Sequence, residues 1–175
     1  MSLRGLFEWF DALESSVAFR ESLNAYPILL TVHVISMCLF AGLIAFLDLR
    51  LVGATLKRVP VSSFPKRIFP WALTGFGISV ITGMLLLYSQ PMRYYGNFYF
   101  WLKTGLILLA GINMWVFHVT IYRSVDKWDT DAEIPRAARI AGVVSLVLWA
   151  AVVSTGRLIA YSGLVPEWWK GLNLT

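Results

Sequence analysis

Four long segments without a charged residue restrict the fold of this chain more than any other feature. They cover residues 25–47, 68–89, 104–122 and 140–156 of 175. A helix crosses roughly 30 Å of hydrocarbon with about 20 apolar residues at about 1.5 Å per residue. Because 58% of all residues are also hydrophobic, the sequence predicts an all-α membrane protein, a four-transmembrane-helix up-down bundle.

The domain organisation follows from these segments and their flanks. Residues 25–166 form the predicted bundle, and residues 167–175 an interfacial C-terminal tail. The predicted spans are 25–47, 68–89, 102–122 and 138–162. The stretches between the first and second spans and between the third and fourth are punctuated by Pro or by mixed charges, which favours short solvated connectors.

Residues 1–24 predict an N-terminal interfacial amphipathic helix. Leu3, Phe7 and Phe10 fall on one helical face, whereas Arg4 and Glu8 fall away from it. A helix with one apolar and one charged face lies in the plane of the membrane interface. The alternation of charged and apolar residues also argues against a cleavable export signal, which needs a continuous apolar core.

The distribution of Lys and Arg predicts the orientation. Nine of the 15 basic residues flank the connectors after the first and third spans. Cytoplasmic loops carry the excess of basic residues, so both termini are predicted on the periplasmic side of a bacterial inner membrane. Six aromatic residues between positions 94 and 101 are typical of the outer interface. The basic residues form no continuous stripe, which makes a nucleic-acid partner a poor interpretation.

The two histidines are the main candidates for a functional site, because an imidazole in hydrocarbon is costly unless bonded or ligated. His33 lies near the outer end of the first span and His118 near the inner end of the third. Their predicted offset along the membrane normal is roughly 15 Å at about 1.5 Å per residue. One haem held by both rings is therefore not expected, and two separate sites or none remain.

A haem b site near the outer leaflet is the first hypothesis for His33. The ring would be the axial ligand, with Lys103 and Arg157 pairing with the propionates. Gly75 and Gly83 lie on one helical face and would let a flat macrocycle approach the second span. The alternative is that these glycines only allow close packing of two helices.

A copper conduit is the second hypothesis. Thioether, thiol and imidazole groups favour Cu(I), and histidine and methionine stand four residues apart on two spans. The candidate ligands are His33, Met37, Met84, Met114 and His118, with Cys38 beside Met37. The alternative is that the methionines fill gaps in the core, that Cys38 is a small packing residue and that each histidine bonds a neighbouring helix.

Charged residues at the inner end favour structural ion pairs. Asp48 and Arg50 follow the first span, and Arg139 begins the fourth. A proton or anion path through Asp48 and His118 is the alternative. Catalytic motifs are absent from the sequence, including a Gly-rich phosphate loop, a nucleophile elbow and a His-Glu-x-x-His zinc motif, so the sequence leans against an enzyme.

Three segments resemble an uncharacterised bacterial family of small four-helix inner-membrane proteins, a domain of unknown function. They are ESLNAYPILLTVHVISMCLFAGLIAFLDLRLVG, FPWALTGFGISVITGMLLLYSQPMRYYGNFYFWLKTGLILLAGINMWVFH and ARIAGVVSLVLWAAVVSTGRLIAYSG. The resemblance implies the fold and the inner-membrane location, and no activity. The chain is also similar in general layout to copper-resistance membrane proteins and b561-type cytochromes, although it has one histidine per leaflet where the b561 pattern has two pairs.

The sequence therefore predicts an inner-membrane redox or metal-handling module that holds haem b through His33. A Cu(I) conduit is one alternative. A non-catalytic accessory subunit that contacts a larger membrane complex, or further copies of itself, is another. The lipid bilayer is the only partner predicted directly.

Overall fold

The structure is a computed structural model that describes residues 2–55, 59–63, 67–129 and 134–172. Within those ranges the side chains of residues 162 and 170–172 are not described. The predicted connectors fall partly outside the described residues, at 56–58, 64–66 and 130–133, as do 173–175 of the predicted tail.

The described residues form helices and connecting turns and contain no strand. Helices α1 to α8 are Leu3–Asp11, Glu14–Glu21, Ala25–Val52, Phe69–Ser89, Pro91–Tyr95, Phe98–Val116, Arg136–Leu158 and Glu167–Leu172. Helix α6 continues through a π-helical turn, Phe117–Ile121, into a 3-10 turn, Tyr122–Lys127. A further 3-10 turn, Ser162–Leu164, precedes α8.

Four of these helices are long and apolar enough to cross a membrane: α3, α4, α7 and α6 with its continuation. Their most apolar windows have mean hydropathies between 1.6 and 2.4. Helix α3 runs beyond the predicted end at residue 47 and stops at Val52, because Gly53 takes the left-handed conformation, φ 83°, that ends a helix at little steric cost. Asp48 and Arg50 are therefore helical residues.

The long helices pack in the order α4, α3, α7, α6, with neighbours antiparallel. His33 of α3 lies beside Gly83 of α4, and Phe40, further along α3, lies beside Gly75. Helices α3 and α4 therefore run in opposite directions. On its other side α3 packs against α7, where the rings of Phe40 and Trp149 are 4.6 Å apart. In the described residues α4 and α6 make no extensive contact.

Small residues set the close approach of these helices. A Cβ added to Gly142 of α7 would lie 3.0 Å from the Asp48 carbonyl oxygen and 3.0 Å from Leu51 Cβ. A Cβ added to Gly75 of α4 would lie 3.1 Å from the Ser36 carbonyl oxygen. Helices that meet at such glycines bring their backbones together, which is the small-residue packing known for membrane helices.

An aromatic layer, formed by Phe40, Phe76 and Trp149, crosses the middle of the bundle. The Phe40 ring centroid lies 5.0 Å from that of Phe76 and 4.6 Å from that of Trp149. Phe40 stands about midway between His33 and Asp48 along α3, so the layer separates the polar residues at the two ends.

The N-terminal segment forms two helices where the sequence predicts one. Ala12 ends α1: its N–H donates to the Glu8 carbonyl, the N–H of Leu13 donates to the Phe10 carbonyl, and Leu13 is extended. The break lets both helices dock on the bundle. Phe7 packs against Tyr95 at 5.1 Å. The fully buried Ser16 donates a 2.8 Å hydrogen bond to the Tyr88 carbonyl oxygen.

Candidate functional site

An imidazole that is bonded on both nitrogens forms the polar centre of the bundle. Nδ1 of His33 lies 2.9 Å from the Ser79 carbonyl oxygen and 3.0 Å from Thr82 Oγ1, both on α4. A carbonyl oxygen can only accept, and the Thr82 hydroxyl donates to the Ile78 carbonyl. Nδ1 of His33 therefore carries a proton, and Nε2 of the neutral ring is an acceptor.

Lys103 of α6 completes this centre. Its Nζ lies 3.4 Å from Nε2 of His33. The lysine side chain reaches the ring across α7, where Nζ lies 3.3 Å from the position a Cβ on Gly156 would take. The Lys103–His33 pair thus joins α3, α4, α6 and α7 at one level. We call these two residues with Ser79 and Thr82 the polar centre.

No acidic side chain of the described residues is within ion-pair distance of Lys103 Nζ. An ammonium group has three donors and no acceptor, and His33 Nε2 takes one of them. The hydroxyl Oγ of Ser79 is also buried without a hydrogen-bond partner. The polar centre therefore keeps unused hydrogen-bonding capacity and an amine that has no acidic partner among the described residues.

Arg157, predicted to act beside Lys103, lies elsewhere. Its side chain is exposed, its guanidinium carbon stands 5.4 Å from the Tyr161 ring centroid, and Nη2 donates to the Tyr161 hydroxyl at 3.2 Å. On a helix, residues four apart share a face, so the exposed Tyr161 holds the guanidinium away from the interior. Arg157 is therefore not placed to bind the same ligand as Lys103, as the haem hypothesis predicts.

The residues around His33 do not fit a haem. Gly75 and Gly83, predicted to make room for a macrocycle, are filled from α3: a Cβ on Gly83 would lie 3.1 Å from Cε1 of His33. Nε2, which would have to ligate iron, faces Lys103 Nζ instead. The alternative interpretation, that the glycines allow close packing of α3 and α4, agrees with these distances.

The predicted copper ligands are not gathered either. Met84 and Met114 are 65% and 54% exposed. Cys38 is exposed, and His118 is exposed with its ring stacked on Tyr122 at 5.5 Å. In the part of the chain that the structure describes, no three His, Cys, Asp or Glu side chains are placed to hold a metal ion. The copper conduit stays a prediction that this geometry does not support.

The predicted ion pairs at the inner end are replaced by other contacts. Residues two apart on a helix point to different faces, so Asp48 and Arg50 diverge. Arg50 is buried and donates from Nε to the Val59 carbonyl oxygen at 2.8 Å, and Arg139 is exposed. Asp48 is buried against α7, where the Ser145 side chain lies beside its carboxyl group.

Hydrogen bonds between Ser62 and Asp129, which we call the clasp, join the two connectors at this end. The Asp129 carboxylate accepts from the backbone N–H of Ser62 at 2.8 Å and from its hydroxyl group. Partial burial opposes ionisation, but these bonds, a further one from the Val61 N–H and the charge of Arg50 together lower the pKa of Asp129 below its ordinary value. The clasp covers a small apolar cluster of Leu51, Val61, Val125, Trp128, Ile134 and Ala138.

Sequence reasoning missed the partners of His33. Ser79 and Thr82 precede Gly83 on the α4 face that meets α3. Their spacing from the glycine could have indicated that they face His33. What the pattern does not show is that Lys103 crosses the bundle to reach a histidine on a helix with which α6 makes little backbone contact.

The fold and its polar centre define a class: a four-helix protein whose helices are long enough to span a membrane and whose interior holds an amine–imidazole pair. The chain belongs to a family of unknown function, DUF6644, whose model matches residues 23–162. No curated protein and no solved structure matches it. The expected similarity to copper-resistance proteins and b561-type cytochromes finds no support in these comparisons.

Proposed function

We propose that the chain is a multi-pass protein of the bacterial inner membrane with both termini on the periplasmic side. The four apolar helices support insertion in a membrane. The nine basic residues that flank the connectors after α3 and after α6 support the orientation. Cysteine labelling tests it in a Cys38→Ser background. A membrane-impermeant maleimide added to spheroplasts should label Ser2→Cys and spare Asp126→Cys, and the reverse result would overturn the orientation.

We further propose that the polar centre binds a small anion in the outer half of the bundle. The observation that carries this proposal is the Nζ of Lys103, 3.4 Å from His33 Nε2, with no described acidic side chain to neutralise it. Burying a charge without a counter-charge costs several kcal/mol, by order of magnitude. A bound anion would remove that cost, since charge-assisted hydrogen bonds are about twice as strong as neutral ones.

The donors present indicate the class of ligand. Two N–H groups of the ammonium remain for oxygen atoms of a ligand, while His33 Nε2 fixes the third N–H. One positive charge and these donors suit a monovalent oxyanion such as a carboxylate. Lys103 and His33 act as binding groups in this proposal, and no bond is made or broken.

Calorimetric titration of the detergent-purified protein with acetate tests this function. We expect saturable binding by the wild type and a loss of at least tenfold in affinity for Lys103→Met, because about 1.4 kcal/mol corresponds to tenfold. Arg157→Met is the matched control, since it removes an exposed cation bonded to Tyr161 and should bind acetate normally. Equal binding by wild type and Lys103→Met, or no binding by the wild type, would overturn the proposal.

A further inference from the structure

A second buried group, at the other end of α3, lacks a partner. Asp48 is 4% exposed, and its Oδ2 atom is buried without a hydrogen bond. Among the described residues, the side chain of Ser145 on α7 lies beside the carboxyl group. Buried polar atoms are almost always bonded, and a buried carboxylate is normally paired or coordinates a cation. Asp48 is therefore a buried carboxyl group for which neither a paired charge nor a bound cation has yet been identified.

The charged residues around Asp48 do not supply a partner for its carboxyl group. On α3 itself, Arg50 is bonded to the Val59 carbonyl. On α7, Arg139 is exposed, and in the connectors Asp129 is tied to Ser62 and Arg67 is exposed. None of the described Lys or Arg side chains is within ion-pair distance of Asp48.

We propose that Asp48 and Ser145 form a binding site for one small monovalent cation, either a proton or a sodium ion. Either cation would meet the same chemical need, because each neutralises the carboxylate and binds the unpartnered Oδ2 atom of Asp48. A proton would make an O–H bond at the carboxyl group. A sodium ion would take the carboxylate and the hydroxyl oxygen as hard ligands.

The arrangement favours a single charge. One carboxylate is present, and in the described ranges no cluster of three His, Cys, Asp or Glu residues exists to hold a metal ion. Divalent cations generally need more carboxylate oxygens than one side chain offers. The site is also separate from the polar centre, since Asp48 follows His33 by 15 positions, roughly 22 Å at 1.5 Å per residue, and the aromatic layer lies between.

Infrared spectroscopy of the detergent-purified protein tests for the proton. If a proton occupies the site, the wild type should show a protonated-carboxyl band at neutral pH that Asp48→Asn removes. Asp129→Asn is the matched control, because its carboxylate is held ionised by Ser62 and its loss should leave the band unchanged. Ser145→Ala should shift the band, since the hydroxyl group beside the carboxyl group is removed.

A thermal-stability titration tests for sodium. If sodium occupies the site, sodium chloride should raise the melting temperature more than choline chloride at equal ionic strength, and Asp48→Asn should abolish the difference. Ser145→Ala should weaken the apparent sodium affinity by about tenfold, as expected for a lost bond near a charge.

The two measurements together decide the proposal. A carboxyl band that depends on Asp48, or a sodium effect that depends on Asp48, supports it and identifies the occupant. If the wild type shows neither, the proposal is overturned. If Asp48→Asn does not fold, Ser145→Ala decides alone, and an unchanged band together with an unchanged sodium response would overturn it.

Discussion

The amine of Lys103 lies 3.4 Å from the imidazole Nε2 of His33 although their helices, α6 and α3, make little backbone contact. The lysine side chain passes Gly156 of α7 to make this contact, and His33 is anchored to α4 on its other nitrogen. One pair of side chains thus links the outer helices through the two central ones. The consequences of this link can be measured in several ways.

Removing His33 should destabilise the protein more than removing both members of the pair. His33→Leu leaves the ammonium of the half-buried Lys103 without its partner, and loss of a hydrogen bond to a charged group costs about 1.5–3 kcal/mol. The double variant His33→Leu with Lys103→Met removes the charge too, so its unfolding free energy should recover towards the wild type. Denaturant titration in detergent measures both. A double variant as unstable as His33→Leu would contradict the pairing of the two side chains.

Gly75→Ala should destabilise the contact between α3 and α4. Its Cβ would lie 3.1 Å from the Ser36 carbonyl oxygen and 3.3 Å from the Phe40 nitrogen, which are backbone atoms that cannot turn aside. Overpacking of this kind costs about 1–3 kcal/mol.

Gly77→Ala on the same helix is the control for that substitution. It has no heavy atom within 4 Å of the added Cβ, so it should be neutral or stabilising by up to about 1 kcal/mol through helix propensity. Thermal unfolding compares the two variants, and equal midpoints would contradict the close packing at Gly75.

The clasp at Asp129 should survive at neutral pH and fail only in acid. Its pKa in the folded protein is lowered from the ordinary value of 3.8. A depressed folded pKa means that the stabilisation is fully present above the unfolded pKa and is lost as the pH falls through the folded one. Hydrogen exchange in residues 59–63, corrected for intrinsic rates, should therefore stay slow at neutral pH and accelerate only below about pH 3.8.

Asp129→Asn gives the comparison for the clasp. The amide can still accept from Ser62, but it carries no charge, so the same segment should exchange faster at neutral pH by roughly fivefold, the equivalent of about 1 kcal/mol. This variant should also lose the acid dependence. An acid-dependent rate that persists in Asp129→Asn would assign the effect to another group.

The N-terminal helices should detach when Ser16 is changed. Ser16 is fully buried and donates to the Tyr88 carbonyl oxygen at 2.8 Å. Ser16→Val removes the donor and leaves the carbonyl unsatisfied, at a cost of about 1–3 kcal/mol. Limited proteolysis should then cut the N-terminal segment faster, whereas Glu14→Gln, an exposed substitution, should leave the rate unchanged.

The long helices were predictable because their evidence is local. Runs of uncharged residues are counted directly, so the four candidate spans and their order along the chain could be predicted. Asn113, within the third span, donates a hydrogen bond to the Ala141 carbonyl of the neighbouring helix α7. The two-helix N-terminal segment was harder, because both pieces share the same apolar pattern. The break depends on how Phe7 and Ser16 meet the α4–α5 end.

The polar contacts were less predictable because they depend on rotation of each helix about its axis. The haem hypothesis groups His33 with Lys103, and in the structure these two side chains are in contact. The haem and copper hypotheses also include Arg157, Met84 and Met114, although the side chains of all three are exposed. Residues one or two positions apart can face opposite directions, so level alone does not show which side chains meet.

The aromatic layer has an electrical consequence. Phe40, Phe76 and Trp149 pack with ring centroids 4.6 to 5.0 Å apart in the centre of the bundle, and such a layer offers neither water nor ligands to a passing ion. A planar bilayer containing this protein alone should therefore keep its full resistance.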